Sequence, residues 1–295
     1  MASPERIALV TGANAGIGFE TALGLAGGGF RVIMAGRDAA RIEAARRSVI
    51  ERTGSQHVET ALADFASLAA VHRLAETVLR NYERLDLLVN NAGLITPRLE
   101  FSAEGYELTV AVNHLAPFLL TNLLLDRLRA SAPARIVTVA SQAHRGMRID
   151  PATLVGQEDW SPLKAYGRSK LCNILFTRAL ARRLAGSGVV ACCLHPGVVA
   201  TAIGNRAGTF AGLGWRLVKP FLTSPEKGAA TSLFLATTAD PAPFDGAYVV
   251  GRTITRPDPA ALDDALGERL WQESARLVGL PLTSVEADAN GERVL

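Results

Sequence analysis

The feature that most constrains this chain is a turn. An apolar run at 6–11 (RIALVT) leads straight into Thr11-Gly12-Ala13-Asn14-Ala15-Gly16-Ile17-Gly18, and 16–27 then reads as a helix ended by Gly27, Gly28 and Gly29. Glycine lets the backbone turn tightly and approach a bulky anion closely. A helix that starts directly after such a turn aims its unpaired N–H groups at that anion. Between a first strand and a first helix, this pattern predicts a pyrophosphate cradle on an open α/β sheet. The spacing is G-x-x-x-G-x-G, not G-x-G-x-x-G, and a purely structural turn is the plain alternative.

The rest of the chain repeats the alternation. Strands are predicted at 30–36, near 57–63, at 85–90, 134–140 and 189–194, with a short one at 248–250. Helices are predicted at about 38–52, 67–82, 104–130 and 163–185, then near 225–236 and 259–278. The strands read as near-continuous apolar runs, the pattern of a parallel sheet covered on both faces by helices. Two stretches interrupt this order, 142–162 and 200–222, and long irregular segments in compact domains are often functional. One dinucleotide-binding domain over 1–280, followed by a polar tail at 281–295, accounts for the whole pattern.

Composition excludes other classes. The 31 basic and 28 acidic residues leave a net charge of +3, too small to argue for nucleic acid. Cys172, Cys192 and Cys193 cannot all pair and fit no zinc spacing, so they read as small buried apolar groups in a reducing compartment, with no metal expected. No signal-peptide pattern precedes the first strand, and the apolar stretch 115–125 is too short to span a bilayer. A cytoplasmic protein without a transmembrane segment is expected, and a homodimer is left open.

The end of strand two bears on cofactor choice. An NAD site usually carries an acidic residue there for the ribose 2′-hydroxyl. This chain has Gly36 followed by Arg37. A guanidinium suits a 2′-phosphate, so NADP(H) is expected. The alternative is that Arg37 merely opens a solvated helix.

Tyr166 and Lys170 are four apart, on one face of a predicted helix. A phenol with its ordinary pKa of ~10 is a poor base at neutral pH. A nearby ammonium favours the phenolate, so Tyr166 could exchange a proton with a substrate oxygen. The pair alone could be a surface contact. Three neighbours change its meaning: Ser141 ends strand five, Asn113 sits mid-helix where it needs a partner, and Asn90-Asn91-Ala92-Gly93 ends strand four.

Together these residues resemble the short-chain dehydrogenase/reductase family over essentially 6–280. The carriers are TGANAGIG at 11–18, Asp64, NNAG at 90–93, Asn113, Ser141, YGRSK at 166–170 and HPGVVAT at 195–201. GRD at 36–38, NHLAPFLLT at 113–121, SQAH at 141–144, YGRSKLCNILFTRAL at 166–180 and the 25 positions from Ser141 to Tyr166 are similar to the retinol-dehydrogenase-like branch. The resemblance implies a doubly wound, Rossmann-type seven-stranded parallel sheet with three helices on each face.

It also implies roles. Tyr166 would be the acid/base. Lys170 would hold the nicotinamide ribose and lower the Tyr166 pKa. Ser141 would orient the substrate oxygen, and Asn113 would hold a water linking Lys170 to solvent. Gly12, Asn14, Gly16, Ile17, Gly18 and Arg37 would bind the cofactor, with Asp64 and Phe65 by the adenine. Asn91, Ala92 and Gly93 would lie by the ribose, and Thr201 by the carboxamide. Two departures stand out: no membrane-anchoring segment precedes the first strand, and Ala140 stands where relatives often have a second Ser. His144 reads as a polar group behind the site and His195 as structural; they are not a metal pair.

The substrate segments 142–162, with Met147 and Trp160, and 200–222, with Trp215 and Phe221, contain large apolar side chains. They suit a lipophilic alcohol, aldehyde or ketone, or they simply pack against the domain or a partner chain. A non-catalytic NADP(H)-binding sensor or scaffold is the rival reading. It would keep the glycine turn and Arg37 but would not need Tyr166, Lys170, Ser141 and Asn113 together. A second rival is an enzyme that docks on a membrane through Trp215 and Phe221.

Overall fold

The computed structural model describes residues 5–156, 159–197 and 224–281. The expected alternation is there: β1 (Ile7–Thr11), α1 (Gly16–Gly27), β2 (Arg31–Gly36), α2 (Ala39–Thr53), β3 (Val58–Leu62), α3 (Leu68–Asn81) and β4 (Leu87–Asn90). A broken helix follows as α4 (Leu108–Val110) and α5 (Ala116–Ala130), and then come β5 (Ala134–Val139), α6 (Pro162–Arg183) and β6 (Val189–His195). Past residue 223 come α7 (Pro225–Thr237), β7 (Tyr248–Val250), β8 (Thr253–Ile254) and α8 (Asp264–Leu277).

The sheet runs β3-β2-β1-β4-β5-β6-β7-β8. The order reverses between β1 and β4, and ligands of open α/β sheets bind at the carboxyl ends of strands at such a switch. One face is covered by α1, α2 and α7, whose Leu25, Ile42, Val49 and Leu235 pack on Val10, Val32 and Val89. The other is covered by α3, α5 and α6, with α8 packed on α6; Leu74, Leu120 and Leu175 meet Leu9, Leu88 and Ile136 there. Each fully buried Leu contributes about 1.5–3 kcal/mol of transfer free energy. This two-sided core fixes the strand ends that carry the site. The three cysteines belong to it, and burial pushes all three thiols well up in pKa.

Four expectations change. The sheet has eight strands, not seven, because Gly251 (φ +55°) and Arg252 (φ +76°) form a two-residue turn that folds β8 back antiparallel on β7. Positive φ at both turn positions matches the twist of a tight hairpin. β3 is not a continuous apolar run; it is an edge strand, and Leu62 is 60% exposed. The helix expected at 104–130 starts at Leu108, capped by the buried Glu107 carboxylate, and carries a π-helical turn at Ala111–Leu115. The helix expected at 259–278 is split: a 3-10 turn at Pro259–Leu262 precedes α8, and Asp263 caps α8 by accepting from the Leu266 N–H.

The helical run Leu108–Ala130, π turn included, has a window of mean hydropathy 1.6, apolar and long enough to cross a membrane by composition, yet 83% of that window is buried inside the protein. In this fold it is a core helix. The segment 142–162 contains 3-10 turns at Gln142–His144 and Pro151–Thr153. The stretch 200–222 and the tail from 282 lie outside the described residues, and with them Thr201, Trp215 and Phe221.

Candidate active site

The glycine turn is built into the neighbouring strand. Gly12 (φ +65°) and Gly16 (φ +58°) occupy the left-handed region that other residues enter at a cost. Gly18 has no room at all: a Cβ there would lie 2.4 Å from Asn91 Nδ2 and 2.4 Å from the Gly12 carbonyl oxygen. Thr11 Oγ1 accepts from the N–H groups of Asn91 (3.0 Å) and Ala92 (2.9 Å) and donates to the Val89 carbonyl. Asn91 Nδ2 donates to the Thr11 carbonyl at 2.7 Å. So the Asn91 amide braces the turn, and Ala92 and Gly93 lie directly beside it. Sequence reasoning missed Thr11 as the keystone of this brace.

Five helices, α2, α3, α6, α7 and α8, have an Asp or Ser side chain accepting from a first-turn N–H. α1 does not. Its N-cap is Ala15, with no side-chain cap and no acidic residue in the first turn. Unpaired N–H groups at a helix start are an anion site waiting for a ligand. A nicotinamide dinucleotide fits this cradle: Gly12, Gly16 and Gly18 put no side chain on the turn at their positions, and the helix supplies donors.

At the tip of β2, a Cβ on Gly36 would stand 3.4 Å from Asn14 Oδ1 and 3.2 Å from Ile42 Cδ1. An acidic side chain has little space there. Arg37 beside it is exposed, and among the described residues no carboxylate is paired with it. Ile17 is buried under the turn. Asp64 is exposed after β3, its Oδ1 accepting from the Ala66 N–H at 3.0 Å. The ring of Phe65 is buried in the core, so any adenine contact would come from its main chain.

Four side chains gather where β4 and β5 end. Lys170 lies on α6, fully inside the protein, and its Nζ donates to the Val139 carbonyl at 2.9 Å. Nζ also sits 5.5 Å from the centre of the Tyr166 ring. A Cβ on Gly93 would stand 3.3 Å from Asn113 Oδ1 and 3.6 Å from Lys170 Nζ, so these groups share one spot. Asn113 lies in the π turn. Its Oδ1 accepts from the Leu94 N–H at 2.8 Å, while Nδ2 donates to the Leu94 carbonyl and to Ser169 Oγ. The mid-helix Asn thus has the partners its position demands. Ser141 follows β5, and its hydroxyl faces the Tyr166 phenol.

The electrostatics correct one expectation. Burial, with no carboxylate to offset it, pushes Lys170 down to about 8. Burial also pushes the Tyr166 phenol up, and the Ser141 hydroxyl pulls it partly back. Tyr166 is therefore not lowered in the chain alone. The ammonium lies over the ring face rather than at the phenol oxygen, so desolvation wins.

Two supports were not legible. A Cβ on Gly167 would come within 2.6 Å of the Ala143 carbonyl and 2.8 Å of Met147 Cγ, so glycine there lets the turn after Ser141 close onto α6 beside Tyr166. Trp160 Nε1 donates to Glu107 Oε1 at 3.2 Å, tying the end of the 142–162 segment to the cap of α4. Gly167 stands inside YGRSK and Trp160 inside 142–162, but no period or spacing shows what either one touches. Both contacts cross between distant segments.

Residues 6–211 match the family described as short chain dehydrogenase. The human protein named Retinol dehydrogenase 13 is 42% identical over 292 residues, covering 96% of this chain and 87% of that one. Mouse Retinol dehydrogenase 11 is 39% identical over 279 residues, covering 95% and 88%. Among solved structures, an uncharacterized protein from Mycobacterium paratuberculosis is similar with a TM-score of 0.77 and 34% identity, covering 95% of each chain. An RhlG/NADP active-site complex from Pseudomonas aeruginosa has a TM-score of 0.68 and 29% identity, covering 84% of this chain and 96% of that one.

The chain belongs to the short-chain dehydrogenase family, in its retinol-dehydrogenase-like branch. It is an NAD(P)-dependent oxidoreductase acting on CH–OH donors.

Proposed function

We propose that this enzyme uses NADP(H) to interconvert a lipophilic alcohol and its aldehyde or ketone, with Tyr166 as acid/base. One observation carries the reading: Tyr166, Ser141, Lys170 and Asn113, from three separate segments, meet at the strand ends beside the braced glycine turn. A non-catalytic sensor would need only the turn.

When bound, the nicotinamide supplies or accepts the hydride. The chain's own residues do the rest. Ser141 Oγ orients the substrate oxygen. In reduction, Tyr166 Oη donates its proton to that oxygen; in oxidation it takes the proton back. Lys170, held by Val139, keeps a positive charge beside the phenol and, near pH 7, below its value of about 8, remains largely protonated. That charge favours the phenolate as it forms. Asn113 fixes Gly93 and Leu94 next to Lys170, and the water link from Lys170 to solvent is assigned to it. Gly12, Asn14, Gly16, Ile17 and Gly18 cradle the pyrophosphate; Asp64 and Phe65 border the adenine. Ala92 and Gly93 border the ribose, with Asn91 holding the turn, and Thr201 is assigned to the carboxamide.

NADP(H) is favoured by the exposed Arg37, which no carboxylate pairs among the described residues, and by the lack of room at Gly36. The RhlG complex with NADP is consistent with it. A lipophilic substrate is favoured by the apolar content of 200–222, by Met147 and Trp160 in 142–162, and by relatives named for retinol. The test is a panel of aldehydes, ketones and alcohols followed by nicotinamide absorbance with both cofactors. Turnover with NADPH well ahead of NADH is expected. No turnover across the panel, with NADPH still bound, would favour the sensor.

A further inference from the structure

The main chain at Ser141 is gripped from behind by a buried imidazole. His144 Nδ1 lies 2.6 Å from the Ser141 carbonyl oxygen, and His144 Nε2 accepts from the Asp258 N–H at 3.0 Å. A backbone N–H can only donate, so Nε2 carries no proton. The neutral ring must then be protonated on Nδ1, which donates to Ser141. The ring is fully buried and meets Tyr248 edge-on at 5.1 Å. The next N–H, that of Gln142, donates to His195 Nδ1 at 3.3 Å.

The partner segment is itself fixed. Asp258 Oδ2 accepts from the Gly146 N–H at 2.9 Å and Oδ1 from the Ala260 N–H at 3.0 Å, while Arg145 Nη2 donates to the Arg256 carbonyl. A strap from residues 256–258, arriving after β8, therefore crosses the back of the turn that presents the serine. Among the described residues, His144 is the one side chain that joins strap to serine, and it does so through both of its nitrogens.

We propose that His144 is a positioning residue: locked as the Nδ1–H tautomer by the 256–258 strap, it holds Ser141 in register with Tyr166. This rests on the assignment of Ser141 and Tyr166 above. Neither residue 144 nor the strap needs to touch substrate or cofactor. A displacement of about 1 Å at an orienting hydroxyl is enough to lower turnover a hundredfold.

Two substitutions separate the halves of the grip. In His144→Asn the amide occupies the Nδ1 position and can still donate to Ser141; in His144→Gln it occupies the Nε2 position and can only accept from Asp258. Both lose the ring and its packing on Tyr248, so a purely structural role would affect them alike. With the carbonyl compound turned over best in the panel, His144→Asn should keep kcat within about threefold and His144→Gln should lose roughly ten- to a hundredfold, KM for NADPH unchanged in both. Equal kcat values would overturn the proposal. A second arm needs no variant: two-dimensional 1H–15N spectra of the imidazoles in the unmodified protein at pH 7 should show His144 neutral with its proton on Nδ1. An Nε2–H or charged ring there would overturn it. Ser141→Ala run alongside keeps the two readings apart: full activity in that variant defeats the site assignment, while its loss with equal His144 variants defeats only this inference.

Discussion

Lys170 reaches the Val139 carbonyl by passing under the Tyr166 ring, with Nζ 2.9 Å from the oxygen and 5.5 Å from the ring centre. One buried cation thus hydrogen-bonds the last residue of β5, two before Ser141, and lies over the face of the phenol. Removing the phenol oxygen alone leaves that arrangement in place. Tyr166→Phe is expected to lower kcat by at least 10²–10⁴-fold, the usual worth of a positioned acid/base. NADPH affinity, followed by fluorescence titration, should stay within about threefold.

The same lysine makes stability depend on pH. Its folded pKa of about 8 lies below its ordinary 10.5. Between those values the unfolded chain binds a proton that the folded chain does not, so this group's contribution makes stability rise with pH across the window. Below pH 8 the penalty of the buried charge is fully present, with a ceiling of roughly 3 kcal/mol for a shift of this size. Lys170→Met should therefore unfold at higher denaturant at pH 7, by about 1–2 kcal/mol after about 1 kcal/mol is lost with the Val139 bond. The gain should shrink toward pH 10.5, and turnover should be gone. Denaturation curves at pH 7 and pH 10 check the sign.

Arg37 is exposed, so its share of cofactor choice is screened. Arg37→Ala should raise KM for NADPH about tenfold and leave KM for NADH nearly unchanged, since only one of the two carries the 2′-phosphate. An equal loss for both would contradict the assignment.

Gly18 and Gly27 lie in one helix and should respond oppositely to alanine. At Gly18 the new methyl meets Asn91 Nδ2 and a main-chain oxygen at 2.4 Å, and a backbone atom cannot step aside. Gly18→Ala should destabilise by about 1–3 kcal/mol and abolish NADPH binding. At Gly27 the nearest neighbour is Thr53 Cγ2 at 3.8 Å, so Gly27→Ala should be neutral or stabilise by up to ~1 kcal/mol. Thermal melts with and without NADPH separate the two effects.

The alternation of strand and helix, and the residues that gather at the candidate site, were legible because their signals are local. TGANAGIG and NNAG mark the ends of β1 and β4, YGRSK lies in the first turns of α6, and the alternation of strand and helix brings them to one edge. What escaped was set by contacts between distant segments. Glu59 and Leu62 look like any strand residues until β3 proves to be an edge. The turn at Gly251–Arg252 was too short to announce β8. Gly167, Glu107 and the strap to His144 act across 20 to 114 positions, where no period or spacing reveals them. The direction of the Tyr166 shift escaped because four-residue spacing places a lysine near a tyrosine but does not say which part of the ring it faces.

The widened turn at Ala111–Leu115 has a consequence for insertions and deletions. It holds one residue more than a regular helix would need. Deleting a single residue there would let α4 and α5 merge into an uninterrupted helix: the residues upstream keep their faces relative to α5, because the wide turn had absorbed the extra residue, while those inside it, Asn113 among them, lose the bulge that sets their direction. Asn113 could then no longer face Leu94 and Ser169 at once. A chain shortened in this one place should fold and still lack its active site, whereas the same deletion at the exposed tip of the Gly251–Arg252 hairpin should leave the site untouched.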